Sequence, residues 1–226
     1  MNGTLFIVAT PIGNLKDITL RALETLKEVD AIYCEDTRVT SKLLARYSIK
    51  KSLFRLDAVT ERGKTPEVLR KLREGQKLAL VSDAGTPGGL SDPGAYLVAT
   101  VRKEAPEVKI HPIPGPSPVT AAISAGGILA NDFLFMGFLP HKKGRQTALK
   151  EAVGNSRPVV LFESPHRIHK LMDELYALIP DRNIVLAKEL TKLHEEIIAD
   201  TVSHIRERLE KGDISGKGEF VVIISS

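Results

Sequence analysis

Polar side chains that could bind a ligand or move a proton are concentrated in five short clusters of this sequence. The clusters are Thr10-Pro11-Ile12-Gly13-Asn14, Glu35-Asp36-Thr37-Arg38, the glycine-rich run 82–94, Glu163-Ser164-Pro165-His166-Arg167 and Lys188-Glu189-Leu190-Thr191-Lys192. Their carboxylates, amines and hydroxyls can accept or donate protons and hydrogen bonds. A loop that only reverses the chain needs one or two turn residues. Five dense clusters therefore indicate a ligand-binding site.

The common signatures of nucleotide binding and of serine hydrolysis are absent from the sequence. There is no G-x-x-x-x-G-K-[ST] loop, no G-x-G-x-x-G after the first apolar run and no G-x-S-x-G elbow. The glycines of run 82–94 would let a ligand approach the backbone closely. Alone, that run is equally typical of a plain Gly-Pro turn.

The six histidines and the single cysteine predict neither a metal site nor a covalent nucleophile. His166 and His169 are three residues apart, but no acidic or cysteine partner stands at ligand spacing. Cys34 ends the apolar run 31–34, which predicts a small buried strand residue. With one cysteine, a disulfide within the chain is excluded.

Each cluster follows an apolar run that has the length and composition of a strand. In the first half, runs 5–9, 31–34, 53–56 and 78–81 alternate with helical patterns over 17–29, 38–47, 66–74 and 95–103. Strands that are apolar on both faces indicate a parallel sheet covered by helices on both sides. Ligands bind beyond the carboxyl ends of the strands in such sheets, which is where the clusters stand.

The proline-rich segment 111–118 divides the sequence into two parts of similar size. Its four prolines in eight residues exclude a continuous helix or a central strand. Beyond it, strands are predicted at 133–138, 159–162, 184–187 and 219–224, and helices at 146–153, 168–178 and 202–210. We therefore expect two α/β domains, 1–113 and 114–226, with a ligand cleft between them.

The composition predicts a soluble, cytoplasmic globular protein. Hydrophobic residues make up 42% and charged residues 27% of the 226 positions, which is ordinary for a folded domain. No run approaches the roughly 18 apolar residues of a membrane span, so no membrane partner is expected. The N-terminus lacks the features of a signal peptide. A net charge of +4 suits an RNA-binding protein but is too small to identify one.

Together, the clusters resemble one protein family over nearly the whole chain and in the same order. The stretches that carry the resemblance are 8–15, 17–23, Glu35-Asp36-Thr37-Arg38, Ser82-Asp83-Ala84-Gly85-Thr86-Pro87, Asp92-Pro93-Gly94, Pro114-Gly115-Pro116-Ser117, Gly137-Phe138-Leu139-Pro140, 163–167, 188–192 and Gly218-Glu219. The chain is similar to class III S-adenosylmethionine-dependent methyltransferases, which have a tetrapyrrole-methylase-like fold. Within them it resembles members that methylate a cytidine ribose 2′-oxygen in 16S ribosomal RNA. The resemblance implies S-adenosylmethionine as cofactor, the small ribosomal subunit as partner, and a homodimer.

The resemblance also implies roles for individual residues. S-adenosylmethionine is expected between the domains, in contact with Pro11, Ile12, Gly13, Asp83, Thr86, Ser117, Pro118, Leu139 and Leu190. A ribose hydroxyl must lose its proton, and a positioned base adds roughly 10²–10⁴-fold to the rate. Candidates for this base are Lys188, Glu189, Glu163 and Asp36, although Lys188 and Glu189 are equally expected as an ion pair that fixes their loop. Phosphates are expected on a basic rim that includes Arg38, Arg167 and Lys192. No metal is expected.

Two alternatives remain open from the sequence. One is a methylase of a tetrapyrrole-like small molecule on the same fold, and the other is a cofactor-binding module without activity. The clusters 35–38 and 163–167 favour the RNA methyltransferase over the first alternative. Segment 57–61 keeps only Glu61 of the family pattern, and the departure at 57–60 favours the second alternative.

Overall fold

The computed structural model describes residues 3–90, 92–129 and 131–226. Contacts between residues divide the chain into two compact units, Met1–Ser117 and Pro118–Ser226. This division falls at the C-terminal end of the proline-rich segment. That the chain forms two domains with the limits 1–113 and 114–226 stays a prediction.

The first unit contains a five-stranded sheet in which every neighbouring pair of strands is parallel. Its strands are β1 (Thr4–Val8), β2 (Ala31–Cys34), β3 (Ser52–Arg55), β4 (Lys77–Val81) and β5 (Lys109–Ile113), in the order β3-β2-β4-β1-β5. They are connected by α1 (Leu20–Glu28), α2 (Thr37–Arg46), α3 (Glu61–Arg73) and α4 (Ala95–Glu104). The parallel sheet predicted for this half of the sequence is confirmed.

Helices cover both faces of this sheet, and each face has its own hydrophobic core. Residues of α3 and α4, such as Leu72 and Val101, pack with Leu80 on one face. Residues of α1 and α2 pack on the other face around Val81 and Cys34. Because successive strand residues point to opposite faces, strands covered on both sides are apolar throughout. Cys34 is fully buried, as predicted.

Strand β5 was not predicted, because the prolines of segment 111–118 mark it as irregular. It forms the outer edge of the sheet and pairs with β1 alone, in a register that places Pro112 beside Ile7. Proline lacks the N–H that a central strand must donate, but an edge strand tolerates this loss. The prediction that the proline-rich segment contains no central strand is therefore correct, but the same prolines led the edge strand β5 to be missed.

The second unit contains a mixed five-stranded sheet. Its strands are β6 (Leu134–Phe138), β7 (Val159–Glu163), β8 (Asn183–Lys188), β9 (Glu196–Thr201) and β10 (Phe220–Ile224), in the order β6-β7-β10-β8-β9. β6 and β7 are parallel, while β10 is antiparallel to both of its neighbours and β9 is antiparallel to β8. Its helices are α5 (Pro118–Ala125), α6 (Arg145–Gly154), α7 (Ile168–Tyr176) and α8 (Val202–Lys211). Neither β9 nor α5 was predicted.

The core of the second unit lies between one face of this sheet and helices α6, α7 and α8. Leu149, Leu171 and Ile205 of these helices are buried against Leu161 and Val222 of the strands. Because β7 and β8 run in the same direction on either side of β10, their carboxyl ends and the start of β10 lie on one edge of the sheet. No helix in the described part of the chain is long and apolar enough to cross a membrane.

Candidate active site

In the first unit, the loops that follow β1, β2 and β4 are tied together at the carboxyl edge of the sheet. Thr10 and Gly85 exchange two backbone hydrogen bonds, of 2.8 and 3.1 Å, and the Thr10 hydroxyl donates to the Ser82 carbonyl at 3.0 Å. The backbone N–H of Asp36 donates to Oδ1 of Asp83 at 3.1 Å. Three of the polar clusters therefore meet at this edge.

A cavity of about 500 Å³ opens at this edge. It is lined by Glu35, Asp36, Thr37, Arg38, Arg55, Asp57 and Asp83. Asp57 was treated in the sequence only as a departure from the family pattern, and Glu35 and Arg55 were given no role. Asp57 comes two residues after β3, so the rule that ligands bind beyond strand ends would have found it.

The carboxylates at this edge differ in their electrostatic state. Burial raises the pKa of Asp83 and of Glu35, and it raises the pKa of Asp92 to about 6; neighbouring carboxylates raise all three further. None of the three forms an ion pair within the described residues. Partial burial and mutual repulsion both disfavour the charged forms of these three carboxylates, so a positively charged ligand would stabilise them.

Asp36 and Asp57 instead form ion pairs and hydrogen bonds with neighbouring residues. Hydrogen bonds from the Arg38 side chain hold the pKa of Asp36 well below its usual range, and the two groups form an ion pair of 2.5 Å. A hydrogen bond from the Thr60 hydroxyl, with an ion pair to Arg55, lowers the pKa of Asp57 to about 2. Both carboxylates stay ionised at neutral pH and are weak proton acceptors.

The remaining residues expected at the cofactor lie on both units and differ in exposure. Pro11 and Ile12 are buried, Gly13 and Thr86 are exposed, and Ser117 and Pro118 are partly buried. Leu139 follows β6 and Leu190 follows β8, and both are buried. Their contacts with a cofactor stay a prediction.

In the second unit, Lys188 and Glu163 stand at the carboxyl ends of β8 and β7, on either side of Phe220 in β10. The Lys188 residue is only 6% exposed. Its side chain forms no hydrogen bond and no ion pair within the described residues. The ammonium lies near enough to Glu189 to help lower the pKa of that carboxyl. Lys188 is therefore a largely buried residue whose amine is not held directly by any anion of the described residues.

The loop after β8 is rigidly held by Glu189. Its Oε1 accepts hydrogen bonds of 2.9 Å from the Glu219 N–H and from Nζ of Lys192. Burial alone would raise the pKa of Glu189, but these hydrogen bonds lower it. A Cβ on Gly218 would meet Cγ of Glu189 at 2.4 Å, so this approach requires glycine. The ion pair expected between Lys188 and Glu189 is not formed; Glu189 pairs with Lys192 instead.

The backbone of this loop is strained on both sides of Leu190. Glu189 has φ 50° and Thr191 has φ 66°. A left-handed conformation is unusual for any residue with a side chain, and most unusual for a β-branched one. Such strain persists only where surrounding contacts enforce it, and it is concentrated at functional sites.

Glu163 is the centre of a buried ionic network. Its carboxylate lies 2.8 Å from Nε of Arg167 and 3.7 Å from a guanidinium nitrogen of Arg145, and Arg145 also pairs with Glu174 at 2.7 Å. The Ser164 N–H donates to Oε1 of Glu163 at 2.7 Å. With two guanidinium groups around it, this carboxylate is a structural anchor rather than a free proton acceptor. No sequence signal identified Arg145, because a buried arginine looks like any helical arginine.

The three cations expected at RNA phosphates are all paired with carboxylates. Arg38 has an 85% exposed side chain and pairs with Asp36, and Lys192 bridges Glu189 and Glu219. The Arg167 side chain is only 14% exposed and lies inside the Glu163 network. Of the three, only Arg38 projects into solvent, so the expectation that Arg167 belongs to an exposed basic rim is not met.

Comparison with known proteins identifies the class to which this fold and these clusters belong. The family model for Tetrapyrrole (Corrin/Porphyrin) Methylases matches residues 4–206.

In the described part of the chain, no group of three or more His, Cys, Asp or Glu side chains is arranged to hold a metal ion.

Relatives narrow this class further. "Ribosomal RNA small subunit methyltransferase I" of Thermotoga maritima is 44% identical over 217 residues, which cover 94% of this chain and 96% of the relative. The protein with that name from Haemophilus influenzae is 43% identical over 99% of this chain and 79% of its own length. The chain belongs to the tetrapyrrole methylase family and, within it, to the ribosomal RNA small subunit methyltransferase I family.

Solved structures show the same fold at low sequence identity. A diphthine synthase has a TM-score of 0.75 at 15% identity, with 99% of this chain and 90% of that chain covered. A uroporphyrin III C-methyltransferase from Thermus thermophilus has a TM-score of 0.68 at 16% identity, over 99% and 98% of the two chains. These likenesses confirm the fold class that the sequence predicted.

Proposed function

We propose that this protein transfers a methyl group from S-adenosylmethionine to the 2′-oxygen of a cytidine ribose in 16S ribosomal RNA. The observation that carries the proposal is the 44% identity to a ribosomal RNA small subunit methyltransferase over almost the full length of both chains. The matched region covers 94% of this chain, so it includes most of the strand-end loops, where binding and catalysis commonly take place.

The electrostatics of the first unit fit the proposed cofactor. S-adenosylmethionine carries a sulfonium and an ammonium, and the partly buried carboxylates Glu35, Asp83 and Asp92 would be stabilised by positive charge. Asp83 would pair with the polar groups of the cofactor. The other contacts would come from Pro11, Ile12, Gly13, Thr86, Ser117, Pro118, Leu139 and Leu190. When bound, S-adenosylmethionine supplies an electrophilic methyl group.

Of the four candidate bases, Lys188 fits proton transfer best. The carboxylates of Asp36, Glu163 and Glu189 are each occupied by ion pairs. As the neutral amine, Lys188 would take the proton of the 2′-hydroxyl, so that the O–H bond breaks while a new N–H bond forms. The ribose oxygen is thereby freed to attack the methyl carbon.

The loop after β8 would keep this amine in place. Glu189, Lys192 and Glu219 fix its backbone, and its left-handed residues have little freedom to relax. Holding reactants in the correct geometry can account for roughly 7–11 kcal/mol of a barrier. The proposed transfer requires that the loops of both units serve one reaction, which stays a prediction from the family resemblance.

The two alternatives have less support. Solved tetrapyrrole methylases share the fold with this chain at low identity, whereas the relatives above 40% identity carry the name of a ribosomal RNA enzyme. Segment 57–60, which favoured an inactive module, forms a compact turn in which Asp57 Oδ1 accepts from the Thr60 N–H at 2.7 Å. Glu61 follows it and caps α4 by accepting from the Leu97 N–H at 2.9 Å. The departure from the family pattern therefore leaves an ordered strand end.

The proposal also includes a cytoplasmic homodimer that acts on the small ribosomal subunit. Purified subunits incubated with the protein and labelled S-adenosylmethionine test the activity. Label on a cytidine ribose of 16S RNA supports it, and a protein that binds the cofactor but labels no RNA contradicts it.

A further inference from the structure

Three phenylalanines form a cluster on one face of β6 and β7, at the edge that carries Lys188. The rings of Phe135 and Phe138 both meet the ring of Phe162 edge-on, at centroid distances of 5.1 and 5.6 Å. Phe138 is 53% exposed. A large aromatic ring that is half in solvent, at the end of a strand, leaves part of its surface accessible to a ligand.

A β-bulge in β6 creates this cluster. Phe135 pairs with Val160, but Gly137 pairs with Leu161 and Phe138 with Phe162, so that one extra residue is inserted between Phe135 and Gly137. Side chains alternate between the faces of a strand. In a regular strand, Phe138 would point to the face opposite Phe135, because the two residues are three positions apart. The bulge places both rings on the face that carries Phe162. Bulges often re-aim a side chain beside an active site.

The chain that follows Phe138 is basic and exposed. Lys142 and Lys143 are both exposed, and neither forms an ion pair or a side-chain hydrogen bond within the described residues. They differ in this from Arg38, Arg167 and Lys192, whose charges are neutralised by carboxylates. Two adjacent exposed ammonium groups, four and five residues after an exposed aromatic ring, are complementary to a nucleic acid strand.

The buried network around Glu163 holds this loop in place. Arg167 donates to the Leu139 carbonyl at 2.9 Å, and Arg145 donates to the Pro140 carbonyl at 3.3 Å. Both arginines are anchored on Glu163. The Arg167 guanidinium also lies 5.8 Å from the centroid of the Phe138 ring. Glu163 and its arginines thus act as positioning residues for the segment from Phe138 to Lys143.

We propose that Phe138 stacks an unpaired base of the RNA substrate while Lys142 and Lys143 bind the adjoining phosphates. This inference rests on the proposed function, which it deepens by assigning an RNA subsite. Strand β6 is three strands from β8. At about 4.8 Å for each step, the subsite lies on the order of 14 Å along the edge from Lys188. Its base would be a neighbour of the target nucleotide rather than the target.

The subsite is tested by fluorescence anisotropy with a labelled, single-stranded, cytidine-rich oligoribonucleotide at several salt concentrations. Phe138→Ala should weaken binding by about fivefold or more, because base stacking on an aromatic ring contributes at least that much. Phe138→Trp should retain binding, since it keeps a π-face. Lys142→Ala/Lys143→Ala should lower the slope of log affinity against log salt by about 0.7 for each lost contact with single-stranded RNA.

The matched control is Arg102→Ala/Lys103→Ala, which removes two adjacent exposed cations at the C-terminal end of α4, toward the opposite edge of the first sheet. The inference is overturned if the control weakens binding as much as the loop variant, if Phe138→Ala binds normally, or if Phe138→Ala instead converts a dimer to monomers. Labelling of small subunits by the unmutated protein is measured separately. If the unmutated protein labels the subunits and the variants bind RNA as well as it does, only the subsite is overturned. If the unmutated protein binds RNA but labels no subunits, only the proposed function is overturned.

Discussion

Single residues at the two sheet edges differ mainly in whether a partner neutralises their charge. Asp36, Glu163 and Glu189 have cationic partners, whereas Asp83, Asp92 and Lys188 have no ion pair in the described part of the chain. A charge that lacks a partner inside the protein is available to a ligand or a reaction. We propose that this distinction separates anchoring residues from reacting ones, and predictions for Lys188 and Asp92 follow from it.

The first concerns Lys188. Lys188→Met should lower the rate of methyl transfer by roughly 10²–10⁴-fold, the usual contribution of a general base. Lys188→Arg should be equally inactive, because a guanidinium keeps the charge but cannot take up a proton. Affinity for S-adenosylmethionine, measured by calorimetry, should stay unchanged. Lys170→Met, on α7, is the control. Full activity of Lys188→Arg would show that only the positive charge is needed.

The second concerns Asp92, whose pKa burial raises to about 6. Below that pH the carboxyl becomes neutral, so affinity for the cationic cofactor should fall as the pH is lowered from about 7 to about 5. Asp92→Asn should bind more weakly at neutral pH and lose this part of the pH dependence, as followed by calorimetry.

The same residue has an opposite effect on stability. A carboxyl whose pKa rises on folding destabilises the folded state once it is ionised; the loss is complete above about pH 6 and absent below the unfolded value of about 4. Asp92→Asn should therefore raise the melting temperature at neutral pH and leave it unchanged in acid. For the binding prediction, the contradicting result is cofactor binding by Asp92→Asn with the same pH dependence as the unmutated protein, which would show that Asp92 does not lie at the cofactor site.

Helices and strands could be predicted where their pattern depends on nearby residues. Strands β1 to β4 were predicted from their apolar runs, and α1 from the helical pattern over 17–29. The structure begins α1 at Leu20, after Thr19, whose side chain accepts from the Ala22 N–H at 3.1 Å. β5 and α5 were missed because Pro112 and Pro118 resemble breakers, although the first stands on an edge and the second opens a helix. Whether a proline disrupts an element depends on neighbours that the local sequence does not specify.

The site could be predicted less completely than the fold. The strand-end clusters contain most of the residues that the structure places at the two edges. The Glu163 network was missed because its members come from separate elements: Arg145 and Glu174 are 29 residues apart. A charged residue looks the same in the sequence whether it is buried in a network or free in solvent, and only the fold distinguishes Arg167 from Lys142.

One prediction belongs to the bulge in β6. Gly137 has φ 61°, and a side chain in this conformation costs roughly 1–2 kcal/mol. Gly137→Ala should lower the free energy of unfolding in urea by that amount. Gly154→Ala is the control, because nothing lies within 4 Å of its added Cβ. Equal stabilities of the two variants would contradict the strain assigned to the bulge.

At the scale of the whole molecule, the two units have different sheets and bring different chemical groups to their strand ends. The first has a fully parallel sheet with partly buried carboxylates beyond it, and the second has a mixed sheet with a largely buried lysine and a basic loop. A methyltransferase for RNA needs both a cation-binding region for its cofactor and a means to take a proton from a hydroxyl. Under the proposed function, the first unit would bind the cofactor and the second would take the proton.

The family resemblance predicts that the molecule is a homodimer. Sedimentation equilibrium at micromolar concentration should give about twice the chain mass of 24.7 kDa. A monomer under those conditions would refute this prediction, while leaving the assignments of residues within one chain intact.

The central claim is that this chain methylates a cytidine ribose in small-subunit RNA. Its most direct test is to incubate purified, unmethylated small ribosomal subunits with the protein and S-adenosylmethionine, and to map the modified nucleotide by mass spectrometry of RNA fragments. The account predicts one methyl group on the 2′-oxygen of an unpaired cytidine, which Lys188→Met fails to install. Methylation of a base, or no methylation by a protein that binds both cofactor and RNA, would contradict it.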